Sequence, residues 1–213
     1  TAAFPIEVYS KDEQLAFLEH MIPNQVEPDL LISSSFLDSF RDPLSLVIYA
    51  TAVRETGSSE ITPLEAFQTR LGKLSDLFLS RMQVSQEKKP HLHRALSQMA
   101  FWQAESSILT IEYDKIGEVL HENQVVSSVN DARHGIQQLK DLELLAESSP
   151  KCYSFRNDWM FGYYLAMSDF AWLSGQRGQL HLSATFDLLV RSSVLPTGDR
   201  IGYWWFFFSA MEL

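Results

Sequence analysis

The stretch Tyr153-Ser154-Phe155-Arg156-Asn157-Asp158-Trp159-Met160-Phe161-Gly162-Tyr163-Tyr164-Leu165-Ala166 decides the fold of this chain. Tyr153 and Phe155 alternate with polar residues, as a half-buried strand does, and the apolar run from Trp159 has the composition of a buried helix. Asn157 or Asp158 supplies the N-cap between them, so strand passes into helix with almost no linker. Free backbone N–H groups at such a helix start can meet an anion, with Asp158 opposing it unless engaged in capping. Trp159, Met160, Phe161, Tyr163 and Tyr164 cover more than one helical face, which predicts core plus a second packing surface.

Working outward toward the N-terminus, extended runs over 142–146 and 151–156 flank a Ser148-Ser149-Pro150 turn. Two short helices precede them, one starting at Asp114 and one at Asn130-Asp131. Ile108-Leu109-Thr110-Ile111 reads as a short extended piece, and a helix runs from His91 to about Ser106. Helix, strand, helix, helix, hairpin is the order of a winged helix-turn-helix, with 130–141 in the place of the recognition helix. Arg133, His134 and Lys140 on that helix are offset by Asp131 and Asp141, so duplex readout is disfavoured.

The N-terminal part is helical in period. Ser10 caps a helix through Leu15, Phe17, Leu18 and Met21, closed by Pro23. Pro28 opens a segment carrying Leu30, Leu31, Phe36, Leu37 and Phe40. Asp42-Pro43 starts a mostly apolar helix ending near Gly57. Thr62-Pro63 starts a long amphipathic one with Phe67, Leu71, Leu74, Leu77, Phe78, Leu79 and Met82. Polar residues 85–89 and Pro90 mark a boundary. The expected organisation is mainly α-helical. A small helical bundle (1–88) is followed by a winged helix-turn-helix with a short β-hairpin (89–173), then trailing helices (174–213) at 180–193 and 199–212.

With 213 residues, 46% hydrophobic, the chain can build real cores. A formal net charge of -10 repels polyanions. The single cysteine, Cys152, excludes an internal disulfide, and its surroundings predict a small buried hydrophobe in a cytoplasmic protein. No uncharged apolar run reaches bilayer length, so no membrane association is expected. His91-Leu92-His93 places two imidazoles off a shared helix face, without acidic or cysteine partners at ligand spacing, which argues against a metal site. No nucleophile motif of a hydrolase is present. Tyr203-Trp204-Trp205-Phe206-Phe207-Phe208 exceeds what one element can bury. That run and the start at Thr1 lead us to expect a piece of a longer protein, or a self-association surface.

Three of these segments together resemble STAND-class signalling NTPases of the NACHT type, in the region after their nucleotide-binding core. Phe40-Arg41-Asp42-Pro43-Leu44-Ser45-Leu46-Val47 is similar to the Asn-Pro-Leu-Leu-Leu pattern of their helical domain. The helix from Pro63 to Met82 is similar to the one that follows, and 153–166 resembles their winged-helix signature. The resemblance implies that Pro43 packs near a nucleotide base. It also implies that the residue at Asn157, a histidine in the family, contacts the β-phosphate of ADP. Asparagine can donate a hydrogen bond there, without the charge of an imidazolium. No Walker A or Walker B segment occurs, so the chain is not a P-loop ATPase by itself. ADP or ATP with Mg would be held by an upstream nucleotide-binding domain. The implied partners are that domain, a downstream helical or repeat region, and other copies in a homo-oligomer. The module would couple nucleotide state to switching. Competing expectations are a helical interaction scaffold with no nucleotide role, and a winged-helix DNA binder.

Overall fold

The computed structural model describes residues 10–23, 43–57, 61, 63–106, 110–156, 158–175 and 207. Among them are seven α-helices and a three-stranded antiparallel sheet, so the chain is mainly helical as expected. The packing divides it into two compact units, Thr1–Lys73 and Leu74–Leu213. The division falls inside the third helix, whereas polar residues 86–88 form a 3-10 turn leading into the fourth.

The first unit contains α1 (Lys11–Met21), α2 (Pro43–Thr56) and the start of α3 (Pro63–Met82). Ser10 and Glu13 form a reciprocal capping box on α1: Glu13 N–H donates to Ser10 Oγ, and Ser10 N–H donates to the Glu13 carboxylate at 2.8 Å. The same contacts hold the Glu13 carboxyl below its usual range. Helix α2 ends as expected, with Gly57 at φ 69° donating to Val53 O. Leu18 and Ile22 of the α1 end, and Leu46, Tyr49, Ala50 and Val53 of α2, are buried. Burial pushes the Tyr49 phenol up to about 12. The segment expected from Pro28 lies outside the described residues.

In the second unit, α4 (Lys89–Ser106) precedes β1 (Ile111–Glu112), α5 (Tyr113–Glu122) and α6 (Val129–Asp141). The strands β2 (Leu145–Ser149) and β3 (Cys152–Phe155) and helix α7 (Asp158–Gly175) follow. The sheet order is β1-β3-β2, so β3 is central and both neighbours are edges. Element order and strand order together are winged-helix-like. The core stripe of α4, Leu92, Leu96, Met99 and Ala100, is fully buried and packs on α7, whose Tyr164, Leu165 and Ala166 are buried as deeply. Each such leucine contributes about 1.5–3 kcal/mol through burial.

Several details depart from the sequence reading. The cap of α6 is Ser128, whose Oγ accepts from Asp131 N–H at 3.1 Å, two residues before the expected start. Of the first extended run, Ile108 and Leu109 lie outside the described residues, and the strand described is Ile111–Glu112. Leu142 to Leu144 are not strand, because they close the end of α6. Leu77, expected on the apolar face, is 48% exposed: Leu71, Leu74 and Phe78 form the buried stripe, and Leu77 sits off it. Cys152 is half-buried rather than buried, since the alternation places Tyr153 and Phe155 inward. The expected trailing helices lie outside the described residues except Phe207, which is buried with its ring edge-on to Phe170.

Three helices end alike. At the ends of α3, α5 and α6 the residues Gln83, Gln124 and Glu143 have φ of 56°, 58° and 57°. The residue after each donates its N–H back to the helix, Val84 to Leu79 O, Val125 to Leu120 O and Leu144 to Leu139 O. Each is a Schellman closure in a position that usually holds glycine.

Candidate functional site

The junction of β3 and α7 is where the sequence placed the candidate site. Phe155 ends the strand with its ring 5.8 Å from that of Tyr164 and 6.0 Å from that of Phe161. Tyr163 and Tyr164 contact edge to face at 5.2 Å. These rings hold the strand end on the first turns of α7, within the range of favourable aromatic pairing. Arg156 N–H donates to Leu144 O at 3.1 Å, which extends the β2–β3 ladder by one step. The Arg156 guanidinium lies 3.8 Å from Glu143, with both side chains mostly exposed. Exposed pairs of this kind contribute little to stability.

Of the two residues expected to meet nucleotide, Pro43 is the first residue of α2, in the N1 position that its fixed φ suits. Asn157 lies outside the described residues, between Arg156 and the first residue of α7, Asp158. The two fall in different units.

The recognition-helix and wing surface is internally neutralised. Residues 129–156 carry four cations, Arg133, Lys140, Lys151 and Arg156, and four carboxylates, Asp131, Asp141, Glu143 and Glu147. Lys140 binds Glu147 at 2.6 Å, and each holds the other in its charged form, raising the lysine and lowering the glutamate. Asp131 is engaged by the Ser128 and Ser127 hydroxyls, which hold its carboxyl low. A surface of this charge offers no counterion-release advantage on duplex DNA.

The two imidazoles of 91–93 diverge. His91 Nδ1 donates to the Asn123 carbonyl at 2.8 Å, and Asn123, itself buried, donates to Gln98 Oε1 and Val119 O. His93 points the other way, its Nε2 3.2 Å from Ser75 Oγ on α3 and its ring 6.0 Å from that of Tyr164. Lys89 binds Asp76 at 2.7 Å beside it. Burial, followed by the Lys89 charge, pushes the His93 imidazole below its ordinary value, with Asp76 acting oppositely. The Tyr164 hydroxyl is buried without a hydrogen-bond partner among the described residues, and burial pushes it well above the usual phenol range. Sequence spacing bears on these histidines only as metal ligands. The Ser75–His93 contact spans 18 residues, which no periodicity reveals. Among the described residues no group of three or more His, Cys, Asp or Glu could hold a metal ion, and none of the described helices is long and apolar enough to cross a membrane.

No family model matches the chain, and no curated protein matches it in sequence.

Proposed function

We propose that the chain is the regulatory helical and winged-helix module of a STAND-class, NACHT-like signalling NTPase. It would couple the ADP or ATP state of a P-loop core to conformational switching and oligomerisation in the cytoplasm. The observation that carries this reading is the β3–α7 junction. There an aromatic strand end is locked onto a buried helix, and Asn157 follows it directly. A ligand contact made between that strand and helix would be passed to the whole of α7, because α7 shares its core with α4. Switching also requires that nucleotide contact the two states differently, since equal affinity shifts nothing. Pro43 and Asn157 are the residues assigned to that contact. The module itself carries no catalytic step.

The test is the nucleotide released on denaturing the protein expressed from its whole open reading frame. Wild type should release stoichiometric ADP and Asn157→Ala much less, at equal folded yield. Unchanged nucleotide content in the variant would falsify the role of Asn157, and a nucleotide-free wild type would remove the NTPase reading. The balanced charge of the wing favours a second reading, a helical protein-interaction scaffold without nucleotide. A winged-helix DNA binder predicts salt-dependent duplex binding, which this surface does not support.

A further inference from the structure

The end of α3 and the turn between α5 and α6 border an open groove of about 530 Å³, wholly within the second unit. Its apolar side is Met82 and Val84 from the end of α3 and Val125 and Val126 from the turn, the last two buried. Its other side is polar. Lys88 lines it from the 3-10 turn, His121 from α5, and Asp131 and His134 from α6. These four are the charged or titratable side chains of the groove among the described residues.

The four are not equivalent. Asp131 is engaged: its carboxylate accepts from the Ser128 hydroxyl at 2.8 Å and the Ser127 hydroxyl at 3.2 Å, and it lies in the first turn of α6, where the positive end of the helix offsets its charge. Lys88, His121 and His134 make no side-chain hydrogen bond or ion pair among the described residues. The ends of α3 and α5 would turn carbonyl oxygens on an anion if those were unpaired. Their closures engage them instead, with Val84 N–H on Leu79 O, Val125 and Val126 N–H on Leu120 O, and Gln124 N–H on His121 O. What stays available is one ammonium and two imidazoles beside an apolar wall.

We infer that this groove binds a small organic oxyanion, a sulfate, phosphate or carboxylate carried on an apolar body. Lys88, His121 and His134 hold the anion, and Met82, Val84 and Val125 take the body. The volume favours that class over a bare inorganic ion, because it falls in the ~300–1,000 Å³ range of small-molecule sites, which pair apolar walls with a few polar groups. The formal net charge of -10 opposes anions at long range. At about 0.1 M salt, charges more than ~10 Å away are largely screened, and the groups in the groove decide. The imidazoles add a direction with pH: each gains positive charge on acidification, so affinity rises as pH falls. Glu87 and Glu122, next in sequence to Lys88 and His121, do not line the groove, and Glu122 accepts from Gln98 on α4. The site uses neither Pro43 nor Asn157, so it is independent of the nucleotide reading.

The probe is phenyl sulfate, which keeps one charge where a phosphate ester titrates near pH ~6. It is titrated into the full 213-residue chain in about 0.1 M NaCl and followed by amide NMR shifts, beside inorganic sulfate and the neutral benzyl alcohol. Saturable shifts centred on Lys88 and on 125–127 are expected, with sulfate about tenfold weaker for want of the ring and benzyl alcohol about tenfold weaker for want of the charge. Lys88→Gln should weaken phenyl sulfate about tenfold. Binding should be about threefold or more tighter at pH ~6 than at pH ~8, and the double variant His121→Gln, His134→Gln should lose that gain. The substituted side chains lie at the surface, circular dichroism checks their folding, and the comparison of the three ligands on wild type decides the question if a variant does not fold. The proposal is overturned by the absence of saturable shifts, by shifts centred elsewhere, by benzyl alcohol or sulfate binding as tightly as phenyl sulfate, or by a folded Lys88→Gln that binds like wild type.

Discussion

Replacing Gln124 by glycine should stabilise the protein although it removes a side chain. Gln124 occupies the left-handed position of a Schellman closure, with φ 58°, its N–H bonded to His121 O at 2.8 Å and the next N–H bonded to Leu120 O at 2.9 Å. A residue with a Cβ is disfavoured in that region by about 1–2 kcal/mol relative to the right-handed one. Glycine escapes this penalty and loses about 0.5–1 kcal/mol through the greater freedom of its unfolded chain. The balance is a gain of about 0.5–1 kcal/mol. Gln124 is exposed, so little packing is lost. For a protein of this size the gain corresponds to a rise in Tm of about 1–4 °C. Urea denaturation followed by circular dichroism at 222 nm measures it, as a higher midpoint at unchanged slope. Gln83→Gly, at φ 56° in the same closure of α3, should behave alike. Gln124→Val should destabilise instead, because a β-branched side chain is a poor fit at positive φ. A Gln124→Gly midpoint below wild type, or a valine variant as stable as wild type, would refute the assignment of this closure.

Leu96→Ala removes a fully buried side chain from the α4 stripe and should cost about 2–5 kcal/mol, measured by the same denaturation. Acidification should weaken the fold through His93. Its imidazole is held below the unfolded value of 6.5, so its contribution is fully present above that pH and is lost as pH falls through the folded value. His93→Gln, which keeps a polar partner for Ser75 but does not titrate, should flatten the fall in stability below that pH. Identical profiles for wild type and variant would remove His93 from the account. Ser10→Ala should cost about 1 kcal/mol by dissolving the capping box of α1, seen as a lower Tm if the first unit unfolds with the rest.

What could be read from sequence was local. The Tyr153 and Phe155 alternation, the proline start at Pro43 and the glycine stop at Gly57 are signals carried by one residue or one period, and the structure has the strand, the helix start and the helix stop there. The helix ends at Gln83, Gln124 and Glu143 carried no such signal, because the left-handed position of each closure is filled by a residue other than glycine. Ser128 and Asn130-Asp131 are all competent caps, and composition alone could not choose among them. The candidate site was legible as a strand-to-helix junction but not as a set of contacts. His93 meets Ser75 and Tyr164 only because α4 brings it to both α3 and α7, and the outer position of β2 among the described strands follows from a strand order that the chain does not spell out.

The central claim is that nucleotide state reaches this module through the start of α2 and the β3–α7 junction. Amide hydrogen exchange on the protein from the whole open reading frame, loaded in turn with ADP and with a non-hydrolysable ATP analogue, tests it most directly. The account predicts that protection changes between the two states in peptides covering 43–46 and 155–160, while the α4 core around Leu96 stays the same. Identical exchange at both segments in the two nucleotide states would contradict it.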